Sequence, residues 1–147
     1  MICQLNMEEP ATLSRIVQIQ QLAYRIEAEI IGCDQLPPLN DTEDSLKSTK
    51  ETFIGHYVGD ELAGILSYKQ EGSVLDICRL AIDPSYFRRG IASRLLAYVL
   101  GLDGITTWEV HTGKANRPAI RCYQKHGFIC ARELVTPDGI QIVKLRK

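Results

Sequence analysis

Arg88-Arg89-Gly90-Ile91-Ala92-Ser93 combines the residue types that hold an anion. The stretch follows an apolar, β-branched run that Asp83-Pro84 halts, and it opens a segment where Ile91, Leu95, Leu96 and Val99 recur at helical spacing. A helix start exposes unpaired backbone N–H groups and carries the positive end of the helix dipole. A diphosphate therefore settles there wherever the backbone can be approached. Gly90 and Ala92 keep that approach open, while Arg88 and Arg89 add fork-shaped cationic donors suited to phosphate oxygens. Taken alone, the same residues also describe a solvated loop with a glycine at its turn.

A second segment, Asn116-Arg117-Pro118-Ala119-Ile120-Arg121-Cys122-Tyr123, followed by Gly127-Phe128, breaks the tie. Asn116 suits an N-cap, Pro118 the first turn of a helix where no N–H is needed, and Gly127 its end. Apolar Ala119 and Ile120, with Tyr123, share one side of that helix. The pattern R-R-G-I-A-x-x-L-L followed by N-x-x-A-I-x-x-Y-x-x-x-G-F resembles the GNAT superfamily of acyl-CoA-dependent N-acetyltransferases. The resemblance runs from Asp76 to Phe128, with one departure: the family's polar first loop position, in Q/R-x-x-G-x-G/A, is Phe87 here.

The resemblance implies transfer of an acetyl group from acetyl-CoA to a primary amine of a small molecule or protein, without a metal. An alkylammonium of pKa about 10.4 is neutral only about once in a thousand at pH 7, a cost of roughly 4 kcal/mol, so a base must remove a proton. By resemblance Asp76 is the leading base, although a strand carboxylate facing solvent or paired with Arg79 accounts for it equally well. Glu109 and His111 are the reserves: they share a strand face by alternation, and histidine is the residue type that exchanges protons near pH 7 without tuning. Tyr123 takes the family's position beside the thioester sulfur, or else packs the core. Asn116 caps its helix and, by resemblance, touches the pantetheine arm. The strand at Leu80, Ala81 and Ile82 is expected to bind that arm through its backbone, with the Leu80 N–H near the developing oxyanion. Arg88, Arg89, Gly90, Ile91, Ala92 and Ser93 are expected to cradle the pyrophosphate. A non-catalytic acyl-CoA-binding module of the same fold is the alternative. A nucleotide-phosphate binder using the arginine loop alone leaves the N-x-x-A-I-x-x-Y segment unexplained.

The elements that must position these residues follow from pattern. Residues 1–6 suit an opening strand and Pro10 starts a long helix that Gly32 ends, with Leu13, Ile16, Ala23, Ile26 and Ile30 on its apolar face. Residues 42–50 suit a short helix capped by Asp41 or Thr42. Strands are expected at 52–58, 61–69 and 73–82, joined at Gly59-Asp60 and Glu71-Gly72, then at 105–111, 128–135 and 140–145. The helix between 73–82 and 105–111 implies that these two strands run parallel. The order β-α-α-β-β-β-α-β-α-β-β is that of the resembled family: α/β, a mixed and mostly antiparallel central sheet of about seven strands with helices on both faces.

At 147 residues and net charge −1, the chain reads as one domain whose dispersed Lys and Arg make no case for nucleic-acid binding. No apolar run approaches bilayer length, and a cytoplasmic monomer or homodimer is expected. Cys3, Cys33, Cys78, Cys122 and Cys130 form no C-x-x-C pair and read as reduced, buried thiols. The N-terminal third is acidic, with Glu27, Glu29, Asp34, Asp41, Glu43 and Asp44. These suit a solvated helix face or, because this region covers the acceptor pocket in the resembled family, a cationic amine acceptor.

Overall fold

A computed structural model of the chain describes residues 1–33 and 36–147; Asp34 lies outside the described residues. Seven strands form one sheet in the order β1-β2-β3-β4-β5-β7-β6. They are β1 (Ile2–Gln4), β2 (Thr52–Val58), β3 (Glu61–Glu71), β4 (Val74–Ile82), β5 (Thr107–Gly113), β6 (Ile129–Val135) and β7 (Gln141–Arg146). The helices are α1 (Pro10–Ile31), α2 (Glu43–Lys47), α3 (Ile91–Leu100) and α4 (Arg117–Lys125). Every neighbouring pair is antiparallel except β4 and β5, which run parallel because α3 crosses between them.

Helices cover both faces, each over its own apolar cluster. Leu95, Leu96 and Val99 of α3 and Tyr123 of α4 pack with Leu75, Ile77 and Leu145 on one side. Leu13, Ile16 and Ile19 of α1 and Leu46 of α2 pack with Phe53, Ile65 and Ala81 on the other. Strict alternation would keep Leu75, Ile77 and Ala81 of β4 on one face. The register skips Cys78, passing from Ser67↔Arg79 to Tyr68↔Ile77, and this bulge reverses the phase of the strand. Leu80 and Ile82 consequently pack toward α3, and Arg79 and Ala81 toward α1.

Two apolar stripes compete on α1. Leu13 and Ile16 are buried as expected, but Ala23 and Ile26 are only half-buried and Ile30 is exposed; Ile19, Gln20, Tyr24 and Ala28 complete the buried face. Both stripes have helical spacing, and only the sheet beneath decides which one is covered. The cysteine expectation also needs correction, since all five are free thiols and none is fully buried. Cys78 is exposed at the bulge and Cys130 on the edge strand β6, while Cys3, Cys33 and Cys122 are half-buried.

Two boundaries move for identifiable reasons. β5 begins at Thr107 because the N–H groups of Thr106 and Thr107 both turn to the Ser73 carbonyl, leaving Ile105 to plug the core ahead of the strand. α2 is shorter than 42–50 and is capped by Thr42, whose Oγ1 accepts the Ser45 N–H at 3.1 Å while Ser45 Oγ accepts the Thr42 N–H at 2.8 Å. Asp41 does not cap it: its carboxylate accepts the Ser45 hydroxyl at 2.9 Å and pairs with Arg79.

The start of α3 is held tightly against the sheet. A Cβ at Gly64 would meet Ile82 Cδ1 at 2.6 Å and Ile91 Cγ2 at 2.9 Å, so β3 needs a glycine for α3 to dock. The Trp108 indole N–H donates to the Val99 carbonyl at 2.9 Å and fixes the other end of α3 to β5. Arg15 of α1 reaches Asp83, just beyond β4, at 2.8 Å. Burial alone would raise the Asp83 pKa, but the Ser85 N–H and Arg15 hold it below the usual carboxylate range.

Candidate active site

β4 and β5 pair only from Val74↔Thr107 to Ile77↔Val110; past that point they part. Asp83 donates its N–H to Ala63 of β3 at 2.9 Å. Backbone alternation therefore turns Ala81 toward β3 as well, and Leu80 and Ile82 toward the gap. The Leu80 N–H, with no β5 carbonyl opposite, donates to the Tyr24 hydroxyl of α1 at 3.3 Å. A cavity of about 430 Å³ occupies the gap and is walled by Leu80, Ala81 and Ile82 of β4, His111 of β5, and Asn116 and Tyr123.

The helix start beside this cavity is left uncapped. Gly90 is its N-cap in the left-handed conformation (φ 73°), no side chain caps it, and the first helical bond is Arg94 N–H to the Gly90 carbonyl at 3.0 Å. The N–H groups of Ile91, Ala92 and Ser93 precede that bond and have no partner within the helix. Arg88, also left-handed (φ 65°), and Arg89 are exposed alongside, Arg89 lying 5.1 Å above the Tyr86 ring. Phe87 and Ala92 of this loop border the cavity; Arg88, Arg89, Gly90, Ile91 and Ser93 do not, and sit next to those two along the chain.

The proton-handling candidates separate. His111 is on the cavity wall, exposed, and among the described residues its ring makes no hydrogen bond or ion pair. Asp76 and Glu109 are opposite one another in the β4–β5 register and do not line the cavity. Glu109 is occupied by Lys144 at 2.9 Å and Arg146 at 3.2 Å, and the Lys144 bond above all holds its pKa below the usual carboxylate range. Asp76 is raised by burial, with the charge of Glu109 adding and His111 opposing. Arg79 does not pair with Asp76. It bonds Asp41 and Gln20 through Nη1 and Glu51 at 3.0 Å through Nε, and lies 5.5 Å above the Phe53 ring.

Tyr123 is buried on α4, edge-on to Phe128 with ring centroids 5.5 Å apart, and its hydroxyl has no hydrogen-bond partner among the described residues. Burial raises its pKa far above the ordinary phenol value, with Tyr24 adding. Asn116 does cap α4, its Oδ1 accepting the Ala119 N–H at 3.3 Å, and its Nδ2 donates to Glu27 Oε1 at 2.6 Å. Tyr24 and Glu27 are the site residues that sequence reasoning missed as such. Glu27 stood only among the acidic residues of its region, and the signal was its place one helical turn beyond Tyr24, on the stripe beside the buried one. Burial raises the Glu27 pKa, and the Asn116 bond only partly offsets it. Of the other acidic residues, Glu29, Glu43 and Asp44 face solvent.

The sheet is mixed and parts between its two parallel strands, beside an uncapped and arginine-flanked helix start. Residues 13–128 match the family model described as Acetyltransferase (GNAT) family, and the chain belongs to that family. It is 35% identical over 132 residues to the UPF0157 protein YqkA of Bacillus subtilis, covering 88% of this chain but only 38% of that relative's length. It is 28% identical to the N-alpha-acetyltransferase RimI of Mycobacterium tuberculosis, over 82% of this chain and 79% of that one. The same fold is seen in the ribosomal-protein-S18-alanine N-acetyltransferase of Escherichia coli (TM-score 0.77, 20% identity, 99% and 91% coverage). It recurs in the PaiA N-acetyltransferase of Thermoplasma acidophilum, solved with coenzyme A (TM-score 0.78, 17% identity, 98% and 96% coverage). Among the described residues no helix is long and apolar enough to cross a membrane, and no group of three metal-ligating side chains occurs.

Proposed function

We propose that this chain is an N-acetyltransferase that moves an acetyl group from acetyl-CoA to a primary amine by direct attack. The observation that carries the reading is the gap itself: backbone groups of Leu80 and Ile82 face a cavity that Ala92 borders at the uncapped start of α3. Acetyl-CoA supplies the activated thioester when bound. The α3 amides of Ile91, Ala92 and Ser93 with Arg88 and Arg89 suit its pyrophosphate, and the exposed backbone of β4 with Asn116 suits its pantetheine arm. Gly90 has no side chain to hold a ligand off, and the place a Cβ would take is open, with no atom within 4 Å.

His111 is the base we assign, in place of Asp76 and Glu109, because it alone of the three borders the cavity. Its ring nitrogen takes the proton that the acceptor ammonium gives up. The Leu80 N–H then has a carbonyl oxygen to stabilise, a role worth a few kcal/mol when the donor is prearranged. Tyr123, with its pKa raised by burial, keeps its proton and serves the departing sulfur as a hydrogen-bond donor. The test is thiol release from acetyl-CoA with a panel of amines and N-terminal peptides. Acceptor-dependent release supports transfer, whereas tight acetyl-CoA binding without release assigns the chain to the non-catalytic binders of this fold.

A further inference from the structure

Glu27 is a carboxylate without a cation. Among the described residues it takes the Asn116 bond at 2.6 Å, and its carboxylate forms no ion pair. Other carboxylates of the described residues do have cations: Asp41 and Glu51 share Arg79, Asp83 pairs with Arg15, and Glu109 with Lys144 and Arg146. Glu27 is also the only acidic residue on the cavity wall among the described residues. A carboxylate partly removed from water lowers its free energy by gaining a counter-charge, and none of the described residues pairs with it.

Much of the cavity wall is apolar, and its one arginine, Arg79, is already held by Asp41 and Glu51. Ile30 of α1, Leu36 and Pro38 after it, and Ile140 and Ile142 of the terminal hairpin border the same cavity. A ligand with several ammonium groups would find one carboxylate and, for its remaining charges, this wall. A ligand with one ammonium and an apolar neighbour satisfies both features.

We propose that Glu27 binds the ammonium group of the acceptor while Ile30, Leu36 and Ile142 receive an apolar group next to it. The acceptor is then a monoamine with an apolar flank, of the kind presented by the α-ammonium of a hydrophobic residue, and not a polycation. This inference rests on the acetyl-transfer reading. It adds the substrate class, and it gives the acidic N-terminal region a single residue that faces the acceptor.

The experiment compares the full chain with its Glu27→Gln variant, using phenylalaninamide and spermidine as acceptors and saturating acetyl-CoA. Glutamine keeps the size and an oxygen for Asn116 Nδ2, removes the charge and replaces the second oxygen with an NH2 donor. For the native chain, kcat/KM for phenylalaninamide is expected to exceed that for spermidine by about tenfold or more. Glu27→Gln is expected to raise KM for phenylalaninamide by about tenfold, with kcat and the acetyl-CoA Kd each within about threefold, the pattern of lost ground-state binding. Ile30→Asn, at an exposed position that folding tolerates, is expected to erode the preference for phenylalaninamide over glycinamide. An unchanged KM in Glu27→Gln, a matching loss of acetyl-CoA affinity, or a preference for spermidine overturns the proposal while leaving acetyl transfer standing. A native chain that binds acetyl-CoA and releases no thiol with any acceptor overturns the transfer reading and this proposal with it.

Discussion

The hydroxyl of Tyr24 lies 3.3 Å from the backbone nitrogen of Leu80 and accepts its hydrogen bond across the gap between β4 and β5. The donor assigned to the thioester carbonyl is therefore already occupied, and a ligand must displace or share the phenol. Tyr24→Phe leaves the ring in place and frees the donor. Since a typical net hydrogen bond contributes about 1 kcal/mol, acetyl-CoA binding is expected to tighten by about fivefold. Isothermal titration measures this, and an unchanged Kd removes the Leu80 N–H from the binding surface.

Replacing Gly90 probes the anion site. Gly90→Glu places a negative charge beside the unpaired N–H groups of α3 and is expected to weaken CoA binding by well over about tenfold, or about 1.4 kcal/mol. The backbone there is left-handed (φ 73°), so any side chain adds strain; Gly90→Asn, a residue type that tolerates this conformation, is the control. Equal loss in both variants would assign the effect to strain and not to charge.

Base identity separates three variants. His111→Gln is expected to lower kcat/KM at neutral pH by about a hundredfold, with a deficit that shrinks as the pH rises toward the acceptor's own pKa of about 10. Asp76→Asn and Glu109→Gln are expected to stay within about fivefold of the native chain, since both side chains are off the cavity wall. A large loss confined to Asp76→Asn returns the role to Asp76.

Arg79 is the hinge pin of the α1–β4 side. Its guanidinium bridges Asp41 and Glu51, and removing it leaves two carboxylates in a largely buried place. Arg79→Ala is expected to cost about 3–5 kcal/mol in urea unfolding. A cost below about 1 kcal/mol would mean that water reaches both carboxylates.

Glu27 links function to stability through pH. Its folded-state pKa is raised, so between the unfolded value of about 4.3 and that raised value the folded chain binds more protons than the unfolded one. Native stability on this account rises as pH falls through the raised pKa, and the ionised side chain costs stability at pH 7. Glu27→Gln is expected to melt higher than the native chain at pH 7, with the difference closing on acidification toward pH 4. Thermal melts across that range check it, and identical pH profiles would show that Glu27 is effectively solvated.

Local order along the chain determined most of the scaffold. The turn pairs at Gly59-Asp60 and Glu71-Gly72, the stop at Asp83-Pro84 and the helix signals around Gly90 and Asn116 are all short-range, so element order, the parallel β4–β5 pair and the starts of α3 and α4 are legible without coordinates. What only the tertiary structure decided is which residues of these elements meet. The bulge at Cys78 reverses the facing of β4, and no period-two pattern announces an inserted residue. The two stripes of α1 have equal spacing, and the sheet chose Tyr24 and Ala28 for burial while turning Ile26, Glu27 and Ile30 to the cavity. The sequence puts Asp76 first by resemblance and Glu109 and His111 in reserve, and has no means of showing that Lys144 and Arg146, brought over by β7, pair with Glu109 or that His111 alone of the three borders the cavity. Charge pairing and cavity access depend on segments far apart in sequence, and those distances are set only when the sheet closes on its helices.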